Sequence, residues 1–338
     1  MRIEDVAALA GVSIATVSRA LTMPEKLKPD TLERVNHAVR QTGYTPNLAA
    51  RSLRARRSMM VLVVVPDIGN PFFSDVLRGI DETLVARGYG LLIGNLGGDL
   101  AAKAHHVVDV VQAGQVDGVL LLNGFVPAHG GRALTELGLP VVAVCEAIAG
   151  ADIPQVCVQN RAAAQQAVAH LAGLGHRDLA YLAGPADNVL DLERRAGFCL
   201  GLQAIGLDLR DAVVWPGDFT FRAGETAADS YLRLGRRPTA VFAANDEMAI
   251  GFISRVRAAG LSVPQDISVV GFDGIDFADY VEPRLTTFRQ PRRELGTVGA
   301  ELLIRAMAGE TIAPDERTQR LPVQLQIRAS TCAPDNTR

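Results

Sequence analysis

The sequence predicts two unlike parts: an all-α head in residues 1–46 and an α/β body, made of two halves with doubly wound parallel sheets, in residues 61–338. Apolar residues of the first part recur at helical spacing over short stretches. After Val61, near-continuous apolar runs such as VLVVV, GLLIG and GVLLL alternate with amphipathic stretches. Runs of Val, Leu and Ile that are separated by helices indicate parallel strands covered on both faces.

Charge divides the chain at nearly the same place. The 338 residues carry a formal net charge of -3, yet residues 1–60 hold ten Lys or Arg against five Asp or Glu, and the remainder hold 24 against 32. A basic head on an acidic body indicates that the two parts have different partners, and a polyanion such as nucleic acid suits the head. An ordinary solvated basic surface is the alternative that charge alone leaves open.

Three short helices are predicted in the head. Apolar spacing over residues 3–10 gives the first, and Gly11 interrupts the pattern. Ser13 is a good N-cap for a second helix in GVSIATVSRAL. The segment PDTLERVNHAVRQTG gives the third, with Asp30 or Thr31 as its cap.

The second helix has the residue types of a helix that binds in a DNA groove. In a helix-turn-helix, the second helix lies in the major groove and its N-terminal residues contact base edges. Val17 and Leu21 are predicted to face the core, and Arg19 can bond guanine through two hydrogen bonds. The predicted DNA contacts on the outer side of the helix are Ile14, Ala15, Ser18 and Arg19. Those predicted at phosphates are Ser13 and Thr16. A turn between two purely structural helices is the alternative.

Residues 47–60 are predicted to form a basic hinge helix and linker. Pro46 and Asn47 can start a short helix, and Leu53 lies among arginines. An apolar residue in this setting suits a wedge between base pairs in the minor groove, while the cations neutralise phosphates. Alternatively, Leu53 docks the linker on the body. The arginines of this window are Arg51, Arg54, Arg56 and Arg57.

The body repeats one pattern, which restarts at VCVQN and yields two similar α/β halves. Doubly wound sheets bind ligands at the carboxyl ends of their strands. Several predicted strands end in polar segments suited to that role: VPDIGNPFF, GNLGG, LLNG, AGPADN, GDFTF, AANDE and GFDGID.

Other classes of protein find less support. The four cysteines show neither C-x-x-C spacing nor Cys/His pairing, so we expect no disulfide framework and no metal site. Neither a phosphate-binding glycine motif nor a nucleophile motif is present, so we expect no enzyme and no cofactor. The N-terminal segment MRIEDVAALAG does not resemble an export signal, which argues against a periplasmic-type sugar-binding protein. We expect a cytoplasmic protein without a membrane partner.

The segment EDVAALAGVSIATVSRALTMPEKLKPDTLERVNHAVRQTGYTPNLAARSLR resembles the head and hinge of the lactose/galactose repressor (LacI/GalR) family. The resemblance continues through PDIGNPFFSDVLRGI, RRAGF, FAANDEMAIG, VPQDISVVGFDGID and PRLTTFRQPRRELG. It implies a transcriptional repressor, a homodimer on a roughly palindromic double-stranded operator, and a hinge helix that orders on DNA. It also implies a periplasmic-binding-protein-like body and places Ile14, Ala15 and Arg19 at bases and Leu53 in the minor groove.

The same resemblance implies where the lobes and the effector site lie. Family members cross between the lobes three times, which gives lobe one about 61–160 and 290–320, and lobe two about 161–289 and 321–338. The family's pocket motifs also bring Asp246 to the cleft, beside the predicted effector-binding residues, which are Phe72, Phe73, Gln159, Arg194, Phe219, Asn245 and Asp273.

The chemistry of these side chains favours a nucleoside. Aromatic faces can stack on a flat ring, while Arg194, Asn245 and Asp273 can bind vicinal hydroxyls. The resemblance, in the segments VVPDIGNPFFSDVLRGI, GDFTFRAG and LTTFRQPRRELG, is to a family member that responds to cytidine, which implies cytidine as the effector, with a pentose, a hexose or a purine as alternatives. For such a member, the resemblance also suggests a cyclic-AMP receptor-type activator as a partner.

Two positions depart from the family pattern. Gln159 replaces the usual Asp of the motif matched by VQN, so the hydrogen-bonding face of the effector should differ if this side chain contacts it. Arg2 stands where a capping Ser or Thr is usual, and it can contact phosphate instead.

Overall fold

The computed structural model describes residues 2–44, 57–97 and 100–335, and the chain divides into two units, Met1–Met59 and Met60–Arg338. Three α-helices and a short 3-10 turn form the head: α1 (Ile3–Ala10), α2 (Ile14–Thr22), the turn Pro24–Lys26 and α3 (Pro29–Thr42). Their apolar faces share one small core in which Val6, Val17 and Val35 are fully buried.

A tight turn joins α1 to α2. Gly11 has a φ of 63°, a left-handed conformation that glycine adopts without steric penalty. The guanidinium of Arg34, on α3, donates to the carbonyl oxygens of Ala10 and Gly11 and so satisfies the end of α1. Ser13 then caps α2, because its Oγ accepts from the backbone N–H of Thr16 at 3.2 Å.

Of the other two helix starts, that of α3 differs from expectation. The predicted cap of α3 at Asp30 or Thr31 is wrong: Lys28 is the N-cap and Pro29 is the first helical residue. Proline suits that position because its fixed φ is helical and its missing N–H would have no partner there. At α1 the Arg2 side chain makes no capping bond, and Asp5 accepts from the Arg2 backbone N–H at 2.7 Å instead.

The described part of the body contains two six-stranded sheets, a two-stranded hairpin and seven α-helices. The strands are β1 (Met60–Val65), β2 (Gly90–Asn95), β3 (Gly118–Leu121), the hairpin β4 (Ala128–His129) and β5 (Arg132–Ala133), β6 (Val141–Cys145), β7 (Gln155–Val158), β8 (Leu179–Leu182), β9 (Val213–Trp215), β10 (Ala240–Ala243), β11 (Ser268–Asp273), β12 (Thr286–Arg289), β13 (Thr318–Leu321) and β14 (Gln324–Gln326). The helices are α4 (Phe72–Val85), α5 (Leu100–Gln112), α6 (Asn160–Gly173), α7 (Val189–Ala204), α8 (Phe221–Leu232), α9 (Asp246–Ala258) and α10 (Arg292–Met307).

The first sheet has the order β13-β7-β6-β3-β1-β2, and all its neighbours pair in parallel. The second has the order β14-β12-β11-β10-β8-β9, parallel except for the antiparallel pair of β12 and β14. We call the first sheet with α4, α5 and α10 the first lobe, and the second sheet with α6 to α9 the second lobe. The chain passes between them after β7, after β12 and after β13. The predicted fold class is therefore confirmed.

Glycines set the spacing of three helix pairs. A Cβ added at Gly79 of α4 would lie well under 3.0 Å from the carbonyl oxygen of Arg293 on α10, and one at Gly296 of α10 would meet Val76 of α4 in the same way. Equivalent contacts join α6 to α7 at Gly197, and α8 to α9 at Gly224 and Gly251. These helices touch backbone to backbone, which only glycine permits.

Candidate functional sites

Helix α2 presents a mixed apolar and polar surface. Val17 is fully buried, whereas Ile14 is 41% exposed and Ala15 and Arg19 are also exposed. The hydroxyl groups of Ser13 and Thr16 lie 2.9 Å apart at the N-terminus of the helix, and Ser18 is half-buried. Exposed apolar residues in the first turn of a helix, together with an exposed arginine further along it, have the reach and chemistry to contact base edges.

The hinge prediction concerns residues outside the described part of the chain. Asn47, Arg51, Leu53 and Arg54 all fall within residues 45–56, so their roles stay predictions.

A cavity of about 480 Å³ lies between the two lobes of the body. Its position follows from the sheets, because the carboxyl ends of β1, β6, β10 and β11 open toward it. Six of the residues predicted from the sequence line this cavity: Phe72, Phe73, Arg194, Phe219, Asn245 and Asp273.

Two predicted residues lie elsewhere. Gln159 is exposed at the N-cap of α6, where its backbone N–H donates to the carbonyl of Leu321, and its side chain lines a separate surface pocket. Asp246 is fully buried beneath β11 and β12, where it meets Thr287 Oγ1 at 2.5 Å and accepts from the Ile275 N–H at 2.9 Å. Both expectations are corrected, since neither side chain lines the cavity.

Arg194 is the most constrained of the polar lining residues. Only 1% of it is exposed, and its guanidinium lies 3.7 Å above the centre of the Phe272 ring. Nε donates to Asn160 Oδ1 at 2.9 Å, and Nη1 donates to the carbonyl of Ala244. Nη2 lies 3.4 Å from Asp273 Oδ1 and has no hydrogen-bond partner among the described residues. A ligand hydroxyl in the cavity would complete the bonding of this nitrogen.

Asp273 is held against Arg194 in a strained conformation. Its φ is 113°, which is rare for a residue with a side chain. Gln290 donates to its Oδ1 at 2.7 Å. Burial raises the pKa of Asp273 to about 6, although the charge of Arg194 acts in the opposite direction. Strain of this kind is typical of residues positioned for a ligand.

Asn245 positions another lining residue, Phe219. Its Oδ1 caps α9 by accepting from the N–H of Met248 at 3.0 Å, and its Nδ2 donates to the carbonyl of Phe219 at 2.9 Å. Phe219 has a φ of 68°, and its ring covers Gly184 so closely that a Cβ there would overlap it. Asn245 therefore shapes the cavity by holding the Phe219 loop, and only its second N–H remains for a ligand.

Sequence reasoning missed the acidic character of the cavity. Four further carboxyl groups line it: Asp67, Glu146, Asp218 and Glu247. Glu146 and Gln290 directly follow strands β6 and β12, so the rule that located the other strand ends applies to them too. The negative charges of Asp273, Asp67 and Asp218 add to burial and raise the pKa of Glu247 to about 7.

The buried carboxyl of Asp246 predicts a pH-dependent stability. Burial, together with the charge of Asp273, raises its pKa to about 8, against about 4 in an unfolded chain. Between these values the folded state holds a proton that the unfolded state releases, so the free energy of unfolding falls as pH rises. Between about pH 6 and pH 8, we expect the free energy of unfolding of the unmodified protein to fall by about 2 kcal/mol more than that of Asp246→Asn.

Denaturant unfolding at several pH values measures this effect. Asn preserves the shape of the protonated acid, and Asp81→Asn on the exposed face of α4 makes the same charge change without burial. Equal pH slopes for Asp246→Asn and the unmodified protein would contradict the prediction.

An ion pair joins the two lobes beside the cavity. Arg292 is almost fully buried at the start of α10, in the first lobe, and its Nη2 lies 2.8 Å from Asp75 of the same lobe. The same nitrogen lies 2.8 Å from Asp276, which follows β11 in the second lobe. The relative position of the lobes is thus tied to a charge contact.

Within the described residues, no group of three or more His, Cys, Asp or Glu could hold a metal ion, and no helix is long and apolar enough to cross a membrane.

Comparison with known proteins matches both parts of the chain. Residues 2–47 match the model of the lacI family of bacterial regulatory proteins, and residues 168–331 match that of a periplasmic binding protein-like domain. The HTH-type transcriptional repressor CytR of Escherichia coli (strain K12) is 38% identical over 98% of this chain and 96% of its own length. Catabolite control protein A of Priestia megaterium is 33% identical over 97% of this chain and 98% of its own.

Solved structures of related regulators are similar to this chain over nearly its whole length. The lac repressor dimer bound to operator and the anti-inducer ONPF matches 98% of this chain and 99% of its own with a TM-score of 0.87 at 27% identity. The complex of the transcriptional regulator CelR with cellobiose matches 98% and 99% with a TM-score of 0.71 at 31% identity. With the helical head, the two-lobed body and these full-length matches together, the chain belongs to the lacI family of bacterial regulatory proteins.

Proposed function

We propose that this protein is a repressor that binds a roughly palindromic operator as a homodimer through α2, and that a small molecule in the cavity between the lobes controls this binding. The observation that carries the proposal is a cavity between two lobes, lined by aromatic rings and a few charged and polar side chains, in a chain whose head exposes Ile14, Ala15 and Arg19 on one helix. The match to a repressor dimer bound to operator supports the DNA-binding part.

A nucleoside such as cytidine is the effector that the cavity favours. Phe72, Phe73 and Phe219 offer ring faces for a flat base, and the unpartnered Nη2 of Arg194 beside Asp273 suits ribose hydroxyls. Similarity to the CytR repressor supports the same class. A sugar is the second candidate, because the related CelR structure holds cellobiose, and a purine is the third.

Control of the head requires that the effector bind one arrangement of the lobes more tightly than another. The ion pair of Arg292 with Asp276 crosses between the lobes and would differ between two arrangements. The lobe movement would act on the order of the hinge at residues 47–60. A cyclic-AMP receptor-type activator as a further partner stays a prediction.

The direct test combines a thermal-shift screen with operator binding. Nucleosides, nucleobases and pentoses are screened first, because a ligand that binds the native body raises its melting temperature. We expect cytidine to stabilise the protein and to weaken its hold on a selected operator. If a sugar raises the melting temperature and no nucleoside does, the effector is a sugar and not a nucleoside. If the protein selects no DNA sequence, the proposal that it is a repressor is wrong.

Arg19→Ala is expected to relax base preference at one position of each operator half-site. The loss of a bidentate contact to guanine costs about 1 to 3 kcal/mol of discrimination. Binding-site selection with the variant measures the effect, and Arg40→Ala, on α3, removes the same charge elsewhere on the head. An unchanged preference would show that Arg19 contacts phosphate only.

A further inference from the structure

A hydrogen bond of Glu146 connects the two lobes at the wall of the cavity. It follows β6 in the first lobe, lines the cavity and is 7% exposed. Its partner is Asn188, the N-cap of α7 in the second lobe, whose Nδ2 donates to Glu146 Oε2 at 3.1 Å. Gly124 makes room for this carboxyl, because a Cβ there would lie 2.5 Å from Oε2.

The surroundings of Glu146 disfavour a negative charge. Arg194, on α7, is the one Lys or Arg that lines the described cavity; its charge faces that of Asp273, and its Nε and Nη1 donate to Asn160 and Ala244. The other ionisable lining groups are all acidic: Asp67, Asp218, Glu247, Asp273 and the neighbouring thiol of Cys145. A buried carboxyl whose partner is a neutral amide is more stable protonated than charged.

Burial accordingly raises the pKa of Glu146 to about 7, with the bond from Asn188, the charge of Arg194 and the backbone hydrogen bond from Gly124 acting in the opposite direction. A protonated carboxyl has one donor and one acceptor. With Oε2 accepting from Asn188, the protonated carboxyl still has an O–H to donate to a ligand in the cavity that Glu146 lines.

Building on the proposed effector role of the cavity, we propose that Glu146 is a specificity-determining residue that binds the effector as an uncharged acid, donating its proton to an acceptor atom of the ligand. A ring nitrogen or carbonyl oxygen of a base fits this requirement. A phosphate does not, because it would face the other carboxyl groups of the cavity without a free cation.

Effector binding is then linked to one proton. The affinity falls as pH rises through the pKa of Glu146, by about tenfold between about pH 6 and pH 8. Glu146→Gln keeps a donor and an acceptor without titrating, so it retains the low-pH affinity and removes the contribution of Glu146 to the pH dependence. A residue that only supported the wall would leave the pH profile unchanged when replaced by Gln.

The test is calorimetric titration of the full chain with cytidine, adenosine and ribose, each as an individual probe, across this pH range. Glu225→Gln, on the exposed face of α8, is the matched control and should keep the profile of the unmodified protein. Asn188→Asp keeps the helix cap but brings a second carboxyl to Oε2, and we expect it to move the midpoint of the profile to higher pH. Thermal unfolding of each variant confirms that it is folded.

The outcomes separate the two proposals. A probe that binds with the same pH profile to the unmodified protein and to Glu146→Gln overturns the role of Glu146 and leaves the proposed function standing. Affinity that rises with pH overturns it as well, because Glu146 would then bind as a carboxylate. Proton-linked binding that leaves operator affinity unchanged supports Glu146 but overturns effector control. Absence of binding by all three probes overturns the role of Glu146 and the nucleoside and pentose effectors, whereas the repressor itself is decided by whether the protein selects a DNA sequence.

Discussion

Gly79→Ala is expected to destabilise the body by about 3 to 5 kcal/mol, at the upper end of what a single added methyl group does. The new Cβ would overlap the backbone carbonyl oxygen of Arg293. No rotamer change can relieve this overlap because the obstructing atom is backbone. Helix α4 must move away from α10, which opens gaps along a contact that covers the first sheet.

Denaturant unfolding followed by the fluorescence of Trp215, the single tryptophan of the chain, measures the loss together with far-UV circular dichroism. Gly173→Ala is the control: this glycine ends α6, is exposed, and has open space around its position. We expect that change to be neutral or to stabilise by up to about 1 kcal/mol. Similar free energies of unfolding for the two variants would show that α4 and α10 can move apart without loss of stability, and would contradict the prediction.

Arg194→Met is expected to abolish the effector response and to lower the free energy of unfolding by about 3 to 5 kcal/mol near neutral pH. The change removes the charge that faces Asp273, the bond to Asn160 and the guanidinium stacked on Phe272. The cost depends on pH in a definite direction. Arg194 lowers the pKa of Asp273, so without it that pKa rises further and the acid is neutral over a wider range.

The loss of stability in Arg194→Met should therefore be smaller at pH 5 than at pH 8, because a neutral Asp273 no longer needs a cation. Arg195→Met, the next residue on α7, is half-exposed and makes the same chemical change outside the cavity. Operator binding without effector should persist in both variants. A response to effector that survives Arg194→Met would remove Arg194 from the effector site.

The sequence was most informative where periodicity and end signals agree. The Gly11 and Ser13 pair locates the turn of the head, and runs such as VLVVV predict buried parallel strands because few other structures bury every residue of a run. The start of α3 was misplaced because Asp30 and Thr31 are favoured caps, while the proline before them already fits the first helical position.

The cavity was predicted less completely, for a geometric reason. Strand-end reasoning identifies which residues reach the correct edge of a sheet, but not which way each side chain points. Asn245 and Asp246 are adjacent in sequence, yet one lines the cavity and the other points under β12 to Thr287. Gln159 occupies a motif position of the family, yet it lies exposed at the N-cap position of α6 and lines a separate pocket.

The contact between Gly79 and α10 also constrains how the protein is made. Helix α4 emerges early from the ribosome, whereas α10 emerges only after β8 to β12 and α6 to α9 of the second lobe, an interval on the order of 10 to 40 s at about 5 to 20 residues per second. During this interval α4 can contact β2 but lacks α10, its main helical partner, and the first sheet lacks β13. The first lobe can therefore finish folding only after most of the second lobe, β8 to β12 with α6 to α9, has been translated, and a nascent chain arrested before Arg292 can complete neither the first lobe nor the effector cavity.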